Sequence, residues 1–156
     1  WRGWRHLPEA VKNGQDREAR WQMMMCSTEG ALSFIKGLGA VHAMSHAAGR
    51  IARLNLHHGT LNAVFLPAVL RFNAPECGDK YERLRLAIGL APGADLADAV
   101  AAMNADIGLP AGLGAMGVEE DDIPELIAYA QKDLSARTNP RQASADDFEM
   151  MIRQSL

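Results

Sequence analysis

The stretch Gly37-Leu38-Gly39-Ala40-Val41-His42-Ala43-Met44-Ser45-His46-Ala47-Ala48-Gly49, followed at His57-His58-Gly59-Thr60-Leu61-Asn62, decides how this chain is read. Eight of the thirteen residues from Gly37 to Gly49 are Gly, Ala or Ser. A helix of this composition, expected over 37–53, gives up propensity at its glycines and lets neighbouring backbones approach. His42 and His46 are four apart, so their imidazoles leave the same face of that helix. A break is expected at 54–57, and His57 and His58 open the next helix. An antiparallel pairing of the two helices brings His58 alongside His42. Gly59 removes a side chain beside His58, and Asn62 lies one turn further on the same face.

Outward from this block the composition is that of an ordinary globular domain. In 156 residues, 48% are hydrophobic and 22% charged, which excludes disorder, collagen-like repeats and a disulfide scaffold. Twenty-six alanines stand against sixteen Val, Ile and Thr residues combined, so a mainly helical chain is expected. A net charge of −3 argues against a nucleic-acid binder, which would carry a concentrated basic surface. Cys26 and Cys77 have no framework spacing, and a reducing, cytoplasmic setting is the economical reading. The longest apolar run, 63–70, is too short to span a bilayer and contains Pro67. The first residues, Trp1-Arg2-Gly3-Trp4-Arg5, have no initiator Met and no signal core, and read as a cut edge, either of a longer natural chain or of a piece prepared from one.

Pattern and capping then place the remaining helices. A short helix is expected over 8–13. Asp16 is a candidate N-cap for a long helix over 17–34 with an apolar stripe at Ala19, Met23, Cys26, Gly30 and Phe34. The helix opening at His58 should run to Asn73 with an interruption at Pro67. Amphipathic helices follow over 79–88, 94–107, 120–133 and 145–154, the last capped by Ser144 with Asp147 three residues on. No segment alternates as a strand would. The expectation is an all-α, multi-helix bundle of seven or eight helices forming one domain over 1–156.

Four of the five histidines lie between positions 42 and 58. Imidazole is a common neutral ligand for zinc and ferrous ions, which need donors converging from more than one element. A single His-x-x-x-His pair is as easily two satisfied or surface histidines, so the spacing leaves a metal or catalytic role and a structural one both open. No Asp or Glu lies between Gly30 and Ala74, so the imidazoles lack a local carboxylate partner. Gly112-Leu113-Gly114-Ala115-Met116-Gly117 matches the dinucleotide fingerprint in letters only. A helix rather than a strand precedes it, and Glu119-Glu120-Asp121-Asp122 would repel a diphosphate. Arg50 and Arg53 near the histidines could meet an anionic substrate, although a solvated helix end accounts for them as well.

With its histidine block, 37–46 and 58–67, the chain closely resembles the iron-containing (group III) alcohol dehydrogenases. The likeness continues through Arg71-Phe72-Asn73, Ile107-Gly108-Leu109-Pro110, Asp122-Ile123-Pro124 and Asn139-Pro140-Arg141, and covers 7–153. The resemblance implies the helical C-terminal domain of that family, whose fold is shared with dehydroquinate synthase. An N-terminal α/β domain that binds NAD or NADP would then be missing from 1–156. In that family one Asp and three His hold the metal, Fe(II) or Zn(II). By resemblance, His42 and His58 are two of these ligands. His46 matches the histidine assigned to proton transfer or cofactor contact. His57 stands where many members have Pro and is not counted as a ligand. The Asp-x-x-x-His segment that supplies the other ligands has no counterpart here, and the loop between His46 and His58 is longer than in many members.

The implied reaction is metal-dependent, NAD(P)-linked interconversion of a small alcohol with its aldehyde or ketone. This chain would supply the helical half of the site, would be inactive alone, and would belong to a homo-oligomer without nucleic-acid or membrane partners. Two other readings stand beside it. One is a non-catalytic helical binding or assembly module derived from such an enzyme. The other is a metal-dependent hydrolase, for which no general-base carboxylate accompanies the histidines.

Overall fold

The computed structural model describes residues 1–156, and its chain folds into seven α-helices and four short 3-10 turns with no strand. In order the helices are α1 (Arg2–Lys12), α2 (Arg17–Leu32), α3 (Ala40–Ala48), α4 (His58–Ile88), α5 (Leu96–Asp106), α6 (Ile123–Lys132) and α7 (Ala145–Arg153). No helix is long and apolar enough to cross a membrane.

A helical hairpin of α1 and α2 leads the chain. The first helix starts earlier than expected and carries Pro8 inside it. Asp16 caps α2 as expected, its Oδ1 accepting from the Ala19 N–H at 2.7 Å. The stripe on α2 is not a core stripe, however: only Ala19 is buried, and Phe34, in the 3-10 turn Ser33–Lys36 that ends this region, is 57% exposed.

The core is built by α3, α4, α6 and α7. Six of the nine residues of α3 are buried, four of them Ala, and these pack against Leu61 and Phe65 of α4 and Leu126 and Ala130 of α6. Small side chains let three helices meet closely here, and the histidine face of α3 is what remains outside. Phe148, Met151 and Ile152 of α7 close the far side. The helix expected over 37–53 is therefore shorter at both ends. Gly37 and Gly39 have φ of +93° and +92°, backbone that a helix cannot contain. A Cβ on Gly37 would overlap the Thr138 side chain.

A remote segment holds the start of α3. Leu38 N–H donates to Thr138 Oγ1 at 3.1 Å, Gly39 N–H to the Ser135 carbonyl at 3.0 Å, and Ala40 N–H to Asn139 Oδ1 at 3.1 Å. Asn139 is buried and exchanges hydrogen bonds of 2.7 and 3.1 Å with Asn73 of α4. Arg141 stacks 4.2 Å over the Phe72 ring and donates to its carbonyl. Asn139-Pro140-Arg141 thus ties the histidine helix to α4.

Where two helices were expected over 58–73 and 79–88, α4 runs unbroken for 31 residues through Pro67 and Pro75. Each proline removes a donor from the carbonyl four residues earlier. At Pro67 that acceptor is the Ala63 carbonyl, which accepts instead from the Asn104 side-chain amide of α5 at 2.8 Å. At Pro75 it is the carbonyl of Arg71, an exposed residue. The glycine-rich segment 112–117 is a loop, as its flanks implied. The Leu113 and Gly114 N–H groups donate to the carbonyls of Ser155 and Leu156, at 2.7 and 3.3 Å, so they are not free for a phosphate.

Candidate metal and proton-transfer site

His42 and His46 leave α3 on one face, and His58 opens α4 beside them. Ring centroids are 5.1 Å apart for His42 and His58, 5.6 Å for His42 and His46, and 5.2 Å for His46 and His58. The last pair stacks with only 18° between planes. Two consecutive helices therefore bring three imidazoles into one triangle. Phe34 lies edge-on to His42 at 6.2 Å and covers one side.

His57 does not join them. Its Nδ1 accepts from the Thr60 N–H at 3.3 Å and so caps α4. Arg50 stacks 4.0 Å from the Tyr129 ring. Arg53 makes a paired ion bridge to Asp122, at 2.7 and 2.8 Å, away from the histidines. Arg53 is thereby paired, whereas Arg50 shares a cleft with His46 and Asp133.

Burial, and then the neighbouring rings of His58 and His46, depress the pKa of His42, with Asp133 opposing. Burial also lowers His58, assisted by His46 and His57. His42 and His58 are consequently neutral near pH 7, the state in which a ring nitrogen can ligate. His46 has a different neighbour: its Nδ1 lies 2.9 Å from Asp133 Oδ2 at the C-terminal end of α6. Burial alone would raise the Asp133 carboxyl. The Ser135 N–H and hydroxyl, with His46, outweigh this and hold it below the usual carboxylate range. Asp133 is the carboxylate missing from the local sequence. It lies 87 positions from its partner, and nothing short-range marks it.

The third part of the site is a hydrogen-bonded string behind His58. Fully buried Ser45 has its Oγ 3.2 Å from both the His42 carbonyl and His58 Nδ1. On the other side of the ring, Asn62 Nδ2 is 3.1 Å from His58 Nε2. Asn62 Oδ1 is buried without a partner.

Within the chain no three His, Cys, Asp or Glu side chains converge as a complete ligand set. Two adjacent neutral imidazoles, beside a carboxylate-paired third and an unpartnered buried oxygen, fit part of such a set. An ion held here needs further donors from outside these residues.

Residues 4–156 match the profile of the Fe-containing alcohol dehydrogenase family, C-terminal. The 4-hydroxybutyrate dehydrogenase of Cupriavidus necator is 51% identical over 162 residues, aligning with 99% of this chain and 42% of its own length. The lactaldehyde reductase of Escherichia coli (strain K12) is 36% identical over 142 residues, 85% of this chain and 37% of that protein. Among solved structures, a 1,3-propanediol oxidoreductase superimposes with a TM-score of 0.92 at 31% identity, over 98% of this chain and 42% of the other. The chain thus spans about two fifths of the length of these relatives. Sequence profile, dehydrogenase relatives and fold agree, and the chain belongs to the iron-containing alcohol dehydrogenase family, corresponding to its C-terminal helical part.

Proposed function

We propose that this chain is the helical half of a metal-dependent, NAD(P)-linked dehydrogenase acting on a small alcohol. The observation that carries the reading is the triangle of His42, His46 and His58 rings, 5.1 to 5.6 Å apart, assembled from two helices. His42 and His58 are the residues that would hold Fe(II) or Zn(II), completed by donors outside 1–156. When bound, such an ion supplies Lewis acidity toward the alcohol oxygen. A nicotinamide, which residues outside 1–156 would mainly hold, would take the hydride from the alcohol carbon, leaving one proton to be removed.

The chain's own residues deal with that proton. His46 has its Nδ1 committed to Asp133, which leaves Nε2 as the free base. Asp133 is ionised near pH 7 and balances the imidazolium that forms when Nε2 takes the proton. The names of the relatives, acting on 4-hydroxybutyrate, lactaldehyde and 1,3-propanediol, support short, polar, primary alcohols or their aldehydes as the substrate class.

Zinc(II) uptake by the purified 156-residue chain, measured by competition with a chromophoric chelator, tests the ligand assignment. Weak, one-to-one binding is expected, and His42→Ala or His58→Ala should abolish it while His57→Ala leaves it intact. Equal uptake by all four proteins would sink the assignment. Assays of alcohol oxidation with NAD(P) beside ester hydrolysis, once the rest of the enzyme is supplied, separate a dehydrogenase from a hydrolase.

A further inference from the structure

We propose that Ser45 is a positioning residue that fixes His58 in its Nδ1–H tautomer, leaving the Nε2 lone pair as the only donor electrons of that ring. A serine hydroxyl has one proton to give and lone pairs to accept with. Ser45 Oγ stands 3.2 Å from two candidates, the His42 carbonyl and His58 Nδ1. A carbonyl can only accept, so the Ser45 proton goes there and Oγ is left to accept from His58. The proton on the ring is then on Nδ1. Nε2 becomes an acceptor, as the amide nitrogen of Asn62 at 3.1 Å requires.

The opposite arrangement is also a closed string. Ser45 would donate to Nδ1, His58 Nε2–H would donate to Asn62 Oδ1, and the Asn62 amide would be turned over. That exchange takes the hydroxyl away from the His42 carbonyl. It also replaces one unpartnered buried oxygen, Asn62 Oδ1, with an unpartnered amide N–H pair. Buried N–H groups without partners are rarer than under-satisfied carbonyl oxygens, so the Nδ1–H string is favoured. The residue choice agrees. Ser45 is the one hydroxyl on α3, at a fully buried position among alanines, where Ala would form a better helix.

The consequence for metal binding rests on the function proposed above; the tautomer does not. A ligating histidine needs its free lone pair on the coordinating nitrogen and a partner for the N–H on the other. Ser45 supplies that partner. Asn62, donating to Nε2, holds the lone pair until a cation replaces the hydrogen bond.

The test is long-range 1H–15N correlation of the imidazoles in the metal-free 156-residue chain at pH 8, where free imidazole is neutral. His58 is expected to show a protonated Nδ1 and a bare Nε2. Ser45→Ala should move it to mostly Nε2–H, and Ser45→Thr, which keeps the oxygen, should restore Nδ1–H. The same proteins titrated with zinc(II) alone should show affinity about ten-fold or more weaker for Ser45→Ala. A wild-type His58 that is mostly Nε2–H overturns the proposal without any variant. So does a tautomer unchanged in a folded Ser45→Ala protein, even if zinc still binds. If the tautomer responds as stated but no protein takes up zinc, the Ser45 assignment stands and the metal reading falls.

Discussion

His42 and His58 are held neutral by burial and by neighbouring imidazoles, His58 and His46 for the first and His46 and His57 for the second, and this has a consequence for stability. Their folded pKa values lie below the 6.5 of free imidazole. Below pH 6.5 the unfolded chain therefore takes up protons that the folded one refuses. Stability from these two groups is complete above that pH and is lost as pH falls through their folded values. Asp133, also depressed, adds a second and more acidic loss below its unfolded 3.8. Urea unfolding should accordingly show a lower unfolding free energy at pH 5.5 than at pH 8, with a smaller drop in His42→Ala. A pH-independent midpoint across that range would contradict the electrostatic account. The three histidines were legible from sequence because four-residue spacing and one helix break are local facts. Asp133 was not, since only the packing of α6 on α3 brings it to His46. Ser45 and Asn62 could be read as small or neighbouring residues, but who donates to whom exists only in three dimensions.

At the scale of elements, capping chemistry was legible and helix continuity was not. Asp16 and Ser144 cap α2 and α7, and Asp147 returns the bond to Ser144, because these motifs lie within one turn of chain. Pro67 was expected to interrupt its helix and the chain to break between 73 and 79, whereas α4 runs on through both; the partner that relieves Pro67 is not local, since Asn104 of α5 satisfies the carbonyl it strands, 41 positions away from Ala63. Asn104→Ala should therefore cost about 1–2 kcal/mol in urea unfolding, the penalty of a part-buried carbonyl left alone. In a Pro67→Ala background the new N–H can serve Ala63 itself, and the same substitution should cost much less. Equal costs in both backgrounds would mean that the amide is incidental. The N-terminal limits of α3 escaped the sequence for a similar reason. Glycines suggested close packing, but the +φ backbone at Gly37 and Gly39 answers to Thr138 and Asn139 on a distant segment.

The whole molecule joins a well-packed half to an open one. Buried residues concentrate in α3, α4, α6 and α7, whereas the hairpin of α1 and α2 and the turn after it leave Leu32 76% and Ile35 93% exposed, with Trp1 and Phe34 above half. Of that apolar surface Phe34 lies against His42, and we expect the patch to pack against another polypeptide surface such as a second copy. Sedimentation of the isolated chain should show self-association that rises with concentration and weakens in Leu32→Lys/Ile35→Lys; a strict monomer at high concentration would count against it. All-α class and family were legible in the sequence because alanine content and the histidine block are properties of the chain alone. The arrangement that makes those histidines a site is a property of the fold. Zinc-edge anomalous diffraction from crystals soaked in zinc(II) tests that arrangement most directly. One peak is expected, about 2.0–2.1 Å from a ring nitrogen of both His42 and His58. Zinc bound elsewhere with those two rings left bare, or no zinc at all, would contradict it.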